Sequence, residues 1–344
     1  MPSPVDLRDV SVLVVGGGSI GRRHISNLRT LGIRELSVCD PDLEQCTALE
    51  SEYGVTPYTS FDEAIASSKP FAVLICTPPH LHIEFAIRAV ESASHVFIEK
   101  PISNSMDGID RLIQEAEKRQ CTIQVGYNWR FYDGLRKIKE LVDAGTIGRV
   151  MWARAETGQY LPEWRPHLDY RQNYTAQRAM GGGIILDGSH EIDYIRWLLG
   201  EVTQVYCQAS TLSDLDVDVE DTASIILTFE SGCIGEVHLD FVQRAQSRNC
   251  KVVGTDGTIF WDLMNNSLMT FSARSGQWAT LPINTSINAM YLEEIKSFLT
   301  CITTSSLPAV DARSAQRVLE IALAAHTSAQ TKTAVMLSSS NSYE

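Results

Sequence analysis

The chain has 344 residues, 44% hydrophobic and 21% charged, which suits about two globular domains and excludes wholesale disorder. With 29 Lys and Arg against 42 Asp and Glu, its formal charge is −13. That balance argues against general nucleic-acid binding and against docking on an anionic membrane.

In chain order, residues 10–15 are a β-branched, apolar run and predict a strand. Residues 20–31 have helical spacing, 36–39 a second short strand, and 43–53 a helix. Two more strands are predicted at 72–76 and 95–98, followed by helices at about 81–92 and 106–119, and residues 122–125 close the series. Short strands alternating with helices of ten or more residues predict βαβ units around a parallel sheet. Beyond Gly126 the pattern changes. A helix is predicted at 133–144, a strand at 150–156, an aperiodic polar and aromatic stretch at 157–180, and a helix at 189–199 stopped by Gly200. Strands follow at 202–209, 222–229, 233–241, 251–253, 258–263 and 267–271. Ser231-Gly232, Asp256-Gly257 and Asn265-Asn266 between them read as turns, so an antiparallel meander is expected. Helices at about 290–303 and 312–329 and a mobile tail at 338–344 complete the chain. The predicted organisation is a doubly wound α/β domain over 1–125 and an α/β domain with an open, mainly antiparallel sheet over 126–337.

No apolar run is long enough to cross a bilayer, and residues 1–6 show no signal-peptide pattern. The eight cysteines are scattered without a CxxC pair. They read as buried hydrophobes rather than a disulfide framework or metal site, and a cytoplasmic location and no metal are expected.

After the first strand, Gly16, Gly18 and Gly21 form GxGxxG. In this strand-to-helix setting Gly16 serves a tight turn, Gly18 the approach of a pyrophosphate, and Gly21 close helix packing. The helix start at Ser19 and Ile20 offers free N–H groups to the anion. Asp40, ending the second strand, is placed to bind the adenine-ribose hydroxyls of NAD and to repel the extra phosphate of NADP. Arg22 and Arg23 keep NADP as an alternative cofactor. At the same sheet edge, Thr77-Pro78-Pro79-His80 and Glu99-Lys100-Pro101 follow two later strands. A lysine there can hold a substrate oxygen and lower its proton affinity. In the second half, Gly181-Gly182-Gly183 leads to Asp187 and His190 at a helix start. Histidine titrates near neutrality and can take a proton from an alcohol. Asp187 or Asp193 could orient its ring. The stretch 159–171 mixes aromatic rings with Arg165 and Arg171, which could bind a carboxylate or phosphate, and reads as a candidate substrate lid.

Gly16 to His24, Thr77 to His80, Glu99-Lys100-Pro101, Gly126-Tyr127 with Arg130-Phe131, and Gly181 to Leu199 occur in one order. Together they resemble the glucose–fructose oxidoreductase / inositol dehydrogenase / rhizopine-catabolism (Gfo/Idh/MocA) family. The resemblance implies a Rossmann domain, a second domain whose open sheet forms homodimers or homotetramers, and NAD(P)-dependent hydride exchange with a secondary alcohol of a sugar, cyclitol or nucleotide-linked sugar. It implies catalytic roles for Lys100 and His190. Asp187 stands three residues before the histidine where the family has an aspartate at four, which leaves Asp193 as the substitute. Thr77, Pro78, His80, Glu99 and Lys100 join the glycine turn and Asp40 as cofactor residues. Tyr127, Arg130, Trp164, Arg165 and Arg171 join Lys100, Asp187 and His190 as substrate residues. Two other classes share this architecture, a non-catalytic dinucleotide-sensing regulator and an NAD-using redox-neutral glycosidase.

Overall fold

A computed structural model describes residues 9–284 and 286–338; the tail from 339 on, expected to be mobile, lies outside the described residues. The chain forms two compact units. One comprises the chain up to Asn128 together with Asn288–Gln316, and the other comprises Trp129–Ile287 and the chain from Arg317 onward.

The first unit is built on six parallel strands: β1 (Val12–Val15), β2 (Leu36–Cys39), β3 (Thr56–Tyr58), β4 (Ala72–Ile75), β5 (His95–Glu99) and β6 (Ile123–Gly126). Their spatial order is β3-β2-β1-β4-β5-β6. Every residue of β1, β2, β4 and β6 is buried, as a parallel sheet covered on both faces requires. This is the doubly wound Rossmann arrangement, and strand order reverses between β1 and β4, where ligands bind at the carboxyl ends. Two elements escape the sequence reading. β3 has three residues and contains Pro57, which lacks the N–H of a central strand and is tolerated at this edge. The helix Phe61–Ser68 follows it.

The core of this unit joins Val12, Val14, Leu74 and Phe97 to Ile295, Phe298, Leu299 and Ile302. The last four lie on the helix Ile287–Thr304. The sequence reading assigned that helix to the second domain; here its buried face belongs to the first unit from Asn288 onward.

The second unit holds β7 (Val150–Gly158), β8 (Val202–Ser210), β9 (Thr222–Phe229), β10 (Ile234–Asp240), β11 (Ser247–Gly254), β12 (Gly257–Asp262), β13 (Ser267–Ser272), β14 (Gln277–Leu281) and β15 (Val335–Met336). The order is β14-β13-β12-β11-β7-β10-β9-β8-β15. The expected meander is modified, because β7 inserts between β10 and β11 and runs parallel to β10. Inward residues such as Val205, Ile225, Val237, Cys250 and Trp261 are buried. The other face carries a row set by the register: Tyr206, Ile226, Glu236, Arg154, Lys251, Phe260 and Met269. Tyr206, Ile226 and Ile234 on that face are more than a third exposed. Among the described residues, no helix is long and apolar enough to cross a membrane.

Candidate active site

In the first unit, the turn after β1 has the shape that a dinucleotide phosphate needs. Gly16 has φ 95°, and a Cβ there would lie 2.7 Å from the Cys76 carbonyl oxygen. A Cβ on Gly21 would sit 1.9 Å from the Gly16 carbonyl oxygen. Gly18 has nothing within 4 Å of where its Cβ would be, so its surface is open to a ligand. The helix Ser19–Thr30 starts beside it, with no side chain capping its first N–H groups and no acidic residue in its first turn. Those amides and the positive end of the helix dipole suit an anion.

Asp40 does more than sit at the end of β2. Its Oδ2 accepts the Gly17 N–H at 2.7 Å and the Gln45 side-chain amide at 3.0 Å, and its Oδ1 accepts the Asp42 N–H at 2.9 Å. The carboxylate therefore shapes the glycine turn while placing negative charge at the β2 edge. The two arginines that kept NADP in play are engaged elsewhere. Arg22 pairs with Glu52, and Arg23 stacks 4.4 Å from the Tyr291 ring centre.

After β4, Thr77 Oγ1 is buried without a hydrogen-bond partner among the described residues, an orphaned polar atom that a bound cofactor would satisfy. Pro78 is partly buried and His80 exposed. After β5, Glu99 is committed inward: Oε1 meets His24 Nε2 at 2.6 Å, and Oε2 accepts the Lys100 N–H at 3.2 Å. Lys100 itself is partly buried. Tyr127, read as a substrate residue, is fully buried. An open turn, an uncapped helix start, an orphaned hydroxyl and a β2 carboxylate fit NAD.

In the second unit, His190 lies in the first turn of the helix Ser189–Leu199 and is 9% exposed. Asp187 closes the preceding short turn, where its two oxygens accept the hydroxyls of Tyr174 and Thr175, each at 3.1 Å. Asp193, the alternative orienter of the histidine, is held by Arg130 through both of its oxygens. Arg130, expected among the substrate residues, forms a buried ion pair with Asp193. Buried Glu191 binds Arg248 at 2.9 Å, and Arg248 covers Trp129 at 4.3 Å, which ties the histidine helix to β11.

In the aromatic stretch, Trp164 donates to the Gln159 carbonyl at 3.0 Å and stands edge-on to Phe241. Arg171 is paired with Asp169. For the Arg165 guanidinium, no hydrogen bond or ion pair is formed among the described residues. Sequence reasoning gave no role of their own to two fully buried histidines of the first unit, His24 and His82. The available signal was their place on the apolar stripe of each helix, beside Ile25 and Leu28 in one case and Ile83 and Ala86 in the other.

These features define a dinucleotide-dependent oxidoreductase. Residues 10–127 match the oxidoreductase family with an NAD-binding Rossmann fold, and residues 135–260 match the GFO/IDH/MocA C-terminal domain. The chain is 30% identical over 338 residues to a myo-inositol 2-dehydrogenase of Thermotoga maritima, covering 94% of this chain and 97% of the relative. It is 26% identical over 345 residues to a scyllo-inositol 2-dehydrogenase (NAD(+)) of Bacillus subtilis, covering 97% and 98%. Among solved structures, a levoglucosan dehydrogenase in complex with NADH superposes with a TM-score of 0.87 at 21% identity, covering 96% of this chain and 99% of that one. The chain belongs to the GFO/IDH/MocA oxidoreductase family. It is an oxidoreductase that uses NAD.

Proposed function

We propose that this protein oxidises a secondary hydroxyl of a cyclitol, with NAD as the hydride acceptor. The observation that carries this reading is the near full-length similarity to a myo-inositol 2-dehydrogenase, in a chain that keeps both Lys100 and His190. In this reading Gly16, Gly18, Ser19, Ile20 and Gly21 hold the pyrophosphate, Asp40 the adenine ribose, and Thr77 and Pro78 the far end of the cofactor. Bound NAD supplies the nicotinamide carbon that takes up hydride. Lys100 holds the alcohol oxygen and stabilises negative charge on it. His190 takes the hydroxyl proton, and Asp187 orients the ring. In the reverse direction the same groups protonate a ketone. Membership of an oxidoreductase family favours this reading over a regulator or a redox-neutral glycosidase.

The test is NADH formation with NAD+ and a panel of myo-inositol, scyllo-inositol and aldoses, using wild type, K100M and H190N. Turnover of an inositol that falls at least about 100-fold in both variants supports the proposal. Activity on aldoses alone, or variants as active as wild type, overturns it.

Arg165 favours a second reading, an acidic sugar as substrate, because among the described residues its guanidinium is not spent on a carboxylate as Arg171's is. R165A would then raise KM for uronates and leave KM for neutral cyclitols unchanged. The uncovered face of the second sheet, with Tyr206, Ile226 and Ile234 on it, supports assembly into a homodimer or homotetramer. The buried state of seven of the eight cysteines suits a reducing cytoplasm.

A further inference from the structure

We propose that two buried histidines, His24 and His82, are positioning residues that fix Lys100 from both sides, His24 through Glu99 and His82 through the Pro101 carbonyl. The proposal rests on the reading of Lys100 as the group that holds the substrate oxygen.

Lys100 immediately follows the last residue of β5, so the strand ladder no longer fixes its backbone. A group that must meet a reacting oxygen needs another anchor, since misplacement by about 1 Å can cost about 100-fold in rate. On one side that anchor is Glu99. Its carboxylate takes the Lys100 N–H on one oxygen at 3.2 Å and meets His24 Nε2 with the other at 2.6 Å. His24 comes from the helix that begins at the glycine turn. Its Nδ1 is buried without a hydrogen-bond partner among the described residues. A proton there would be a buried, unsatisfied donor, so Nε2 carries the N–H that donates to the Glu99 carboxylate. Phe97 and Tyr291 hold the ring edge-on, with centres 5.4 Å and 6.3 Å away.

On the other side the anchor is the Pro101 carbonyl, 2.8 Å from His82 Nδ1. The same ring places Nε2 2.8 Å from the Thr77 carbonyl oxygen. Carbonyl oxygens only accept, so the single N–H of a neutral ring donates to one of the two, and in this proposal Nδ1 donates to Pro101. His82 therefore sits between the loop after β4 and the loop after β5, holding Pro101 beside Lys100 while packing against the Thr77 backbone. Burial lowers the ring's proton affinity on balance, outweighing the Thr77 and Pro101 carbonyls and Glu99, which raise it. Glutamine keeps one side-chain N–H donor group and is the conservative replacement at this position.

The test compares wild type, K100M, H24L, H82L and H82Q in turnover of myo-inositol with NAD+, and measures NADH affinity by fluorescence. H24L and H82L are expected to lower kcat about 10- to 100-fold, with KM and the NADH dissociation constant within about threefold of wild type, and H82Q is expected to recover most of the loss. Leucine variants that keep wild-type kcat while K100M loses it would overturn the brace and leave the reading of Lys100 standing. K100M as active as wild type would overturn that reading and the brace with it. A kcat loss matched by an equal loss of NADH affinity would mark a merely structural role. Where the leucine variants do not fold, 15N-histidine NMR of the wild-type NADH complex decides. His24 as the Nε2–H tautomer and a His82 ring with a hydrogen-bonded N–H are expected. His24 protonated on Nδ1, or His82 titrating as a solvent-exposed ring, would overturn the proposal.

Discussion

Arg130 grips Asp193 through two parallel hydrogen bonds, Nε to Oδ2 at 2.9 Å and Nη2 to Oδ1 at 2.6 Å. The side chains are 11% and 1% exposed, so each charge depends on the other. Removing one partner strands a buried charge, which costs about 3–5 kcal/mol. R130M and D193N should each lower stability by about that amount in urea unfolding, while R130M/D193L should lose less than the sum of the single changes. A selective rise in KM for R130M at unchanged stability would return Arg130 to the substrate residues.

Gly18 and Gly21 belong to one motif but face opposite constraints. G21A drives a methyl group against the Gly16 carbonyl and should destabilise the protein by about 1–3 kcal/mol or more. G18A adds a methyl group to open space. It should fold with an unchanged melting temperature and bind NADH about 10-fold or more weakly, because the added group occupies the path of the pyrophosphate. Calorimetry of unfolding and of binding on the same two variants separates these effects.

Asp40 shapes the glycine turn, and in the proposed function its charge also selects NAD over NADP. D40N keeps an oxygen for the Gly17 N–H but loses the charge. The ratio of kcat/KM for NAD+ over NADP+ should fall by about 10-fold, equivalent to about 1.4 kcal/mol. Measuring both cofactors with the same substrate gives the ratio directly. An unchanged ratio would show that the charge does not set cofactor choice.

Asp221 gives a pH dependence of stability. Burial raises its carboxyl, but the Ser213 hydroxyl, the Leu212 and Ser213 amides and the Thr222 hydroxyl outweigh burial, and the net shift is downward from 3.8. A carboxylate lowered in the folded state contributes stability that is complete above its unfolded value and is lost as pH falls through the folded one. D221N should therefore be less stable than wild type by about 1–3 kcal/mol at neutral pH, and the gap should narrow on acidification below 3.8. Urea unfolding at several pH values checks this, and a constant gap would contradict it.

The Rossmann half was legible because its signals are local. GxGxxG lies within one strand–turn–helix, and the strands are continuous apolar runs. What escaped is decided by distant partners. β3 carries Pro57 and is only three residues long, and its strand character comes from pairing with β2. The sequence marks β7 as a strand but not its place between β10 and β11, which is a long-range choice. At the site, Arg130 and Asp193 each looked available for chemistry, since nothing local shows that residues 63 positions apart neutralise each other. His82 has the same history. Periodicity places it on a buried stripe, and only the folded chain reveals the two carbonyls its ring meets.

The return of Asn288–Gln316 to the first unit has a bearing on biosynthesis. When the ribosome has released only the amino-terminal third, the apolar patch destined for Ile295, Phe298, Leu299 and Ile302 still faces water. Completion of the nucleotide-binding half must therefore wait until almost the whole polypeptide has emerged. A fragment truncated at Asn128 would keep that sticky surface and should aggregate or recruit chaperones, whereas grafting the missing helix onto it should restore a well-behaved protein.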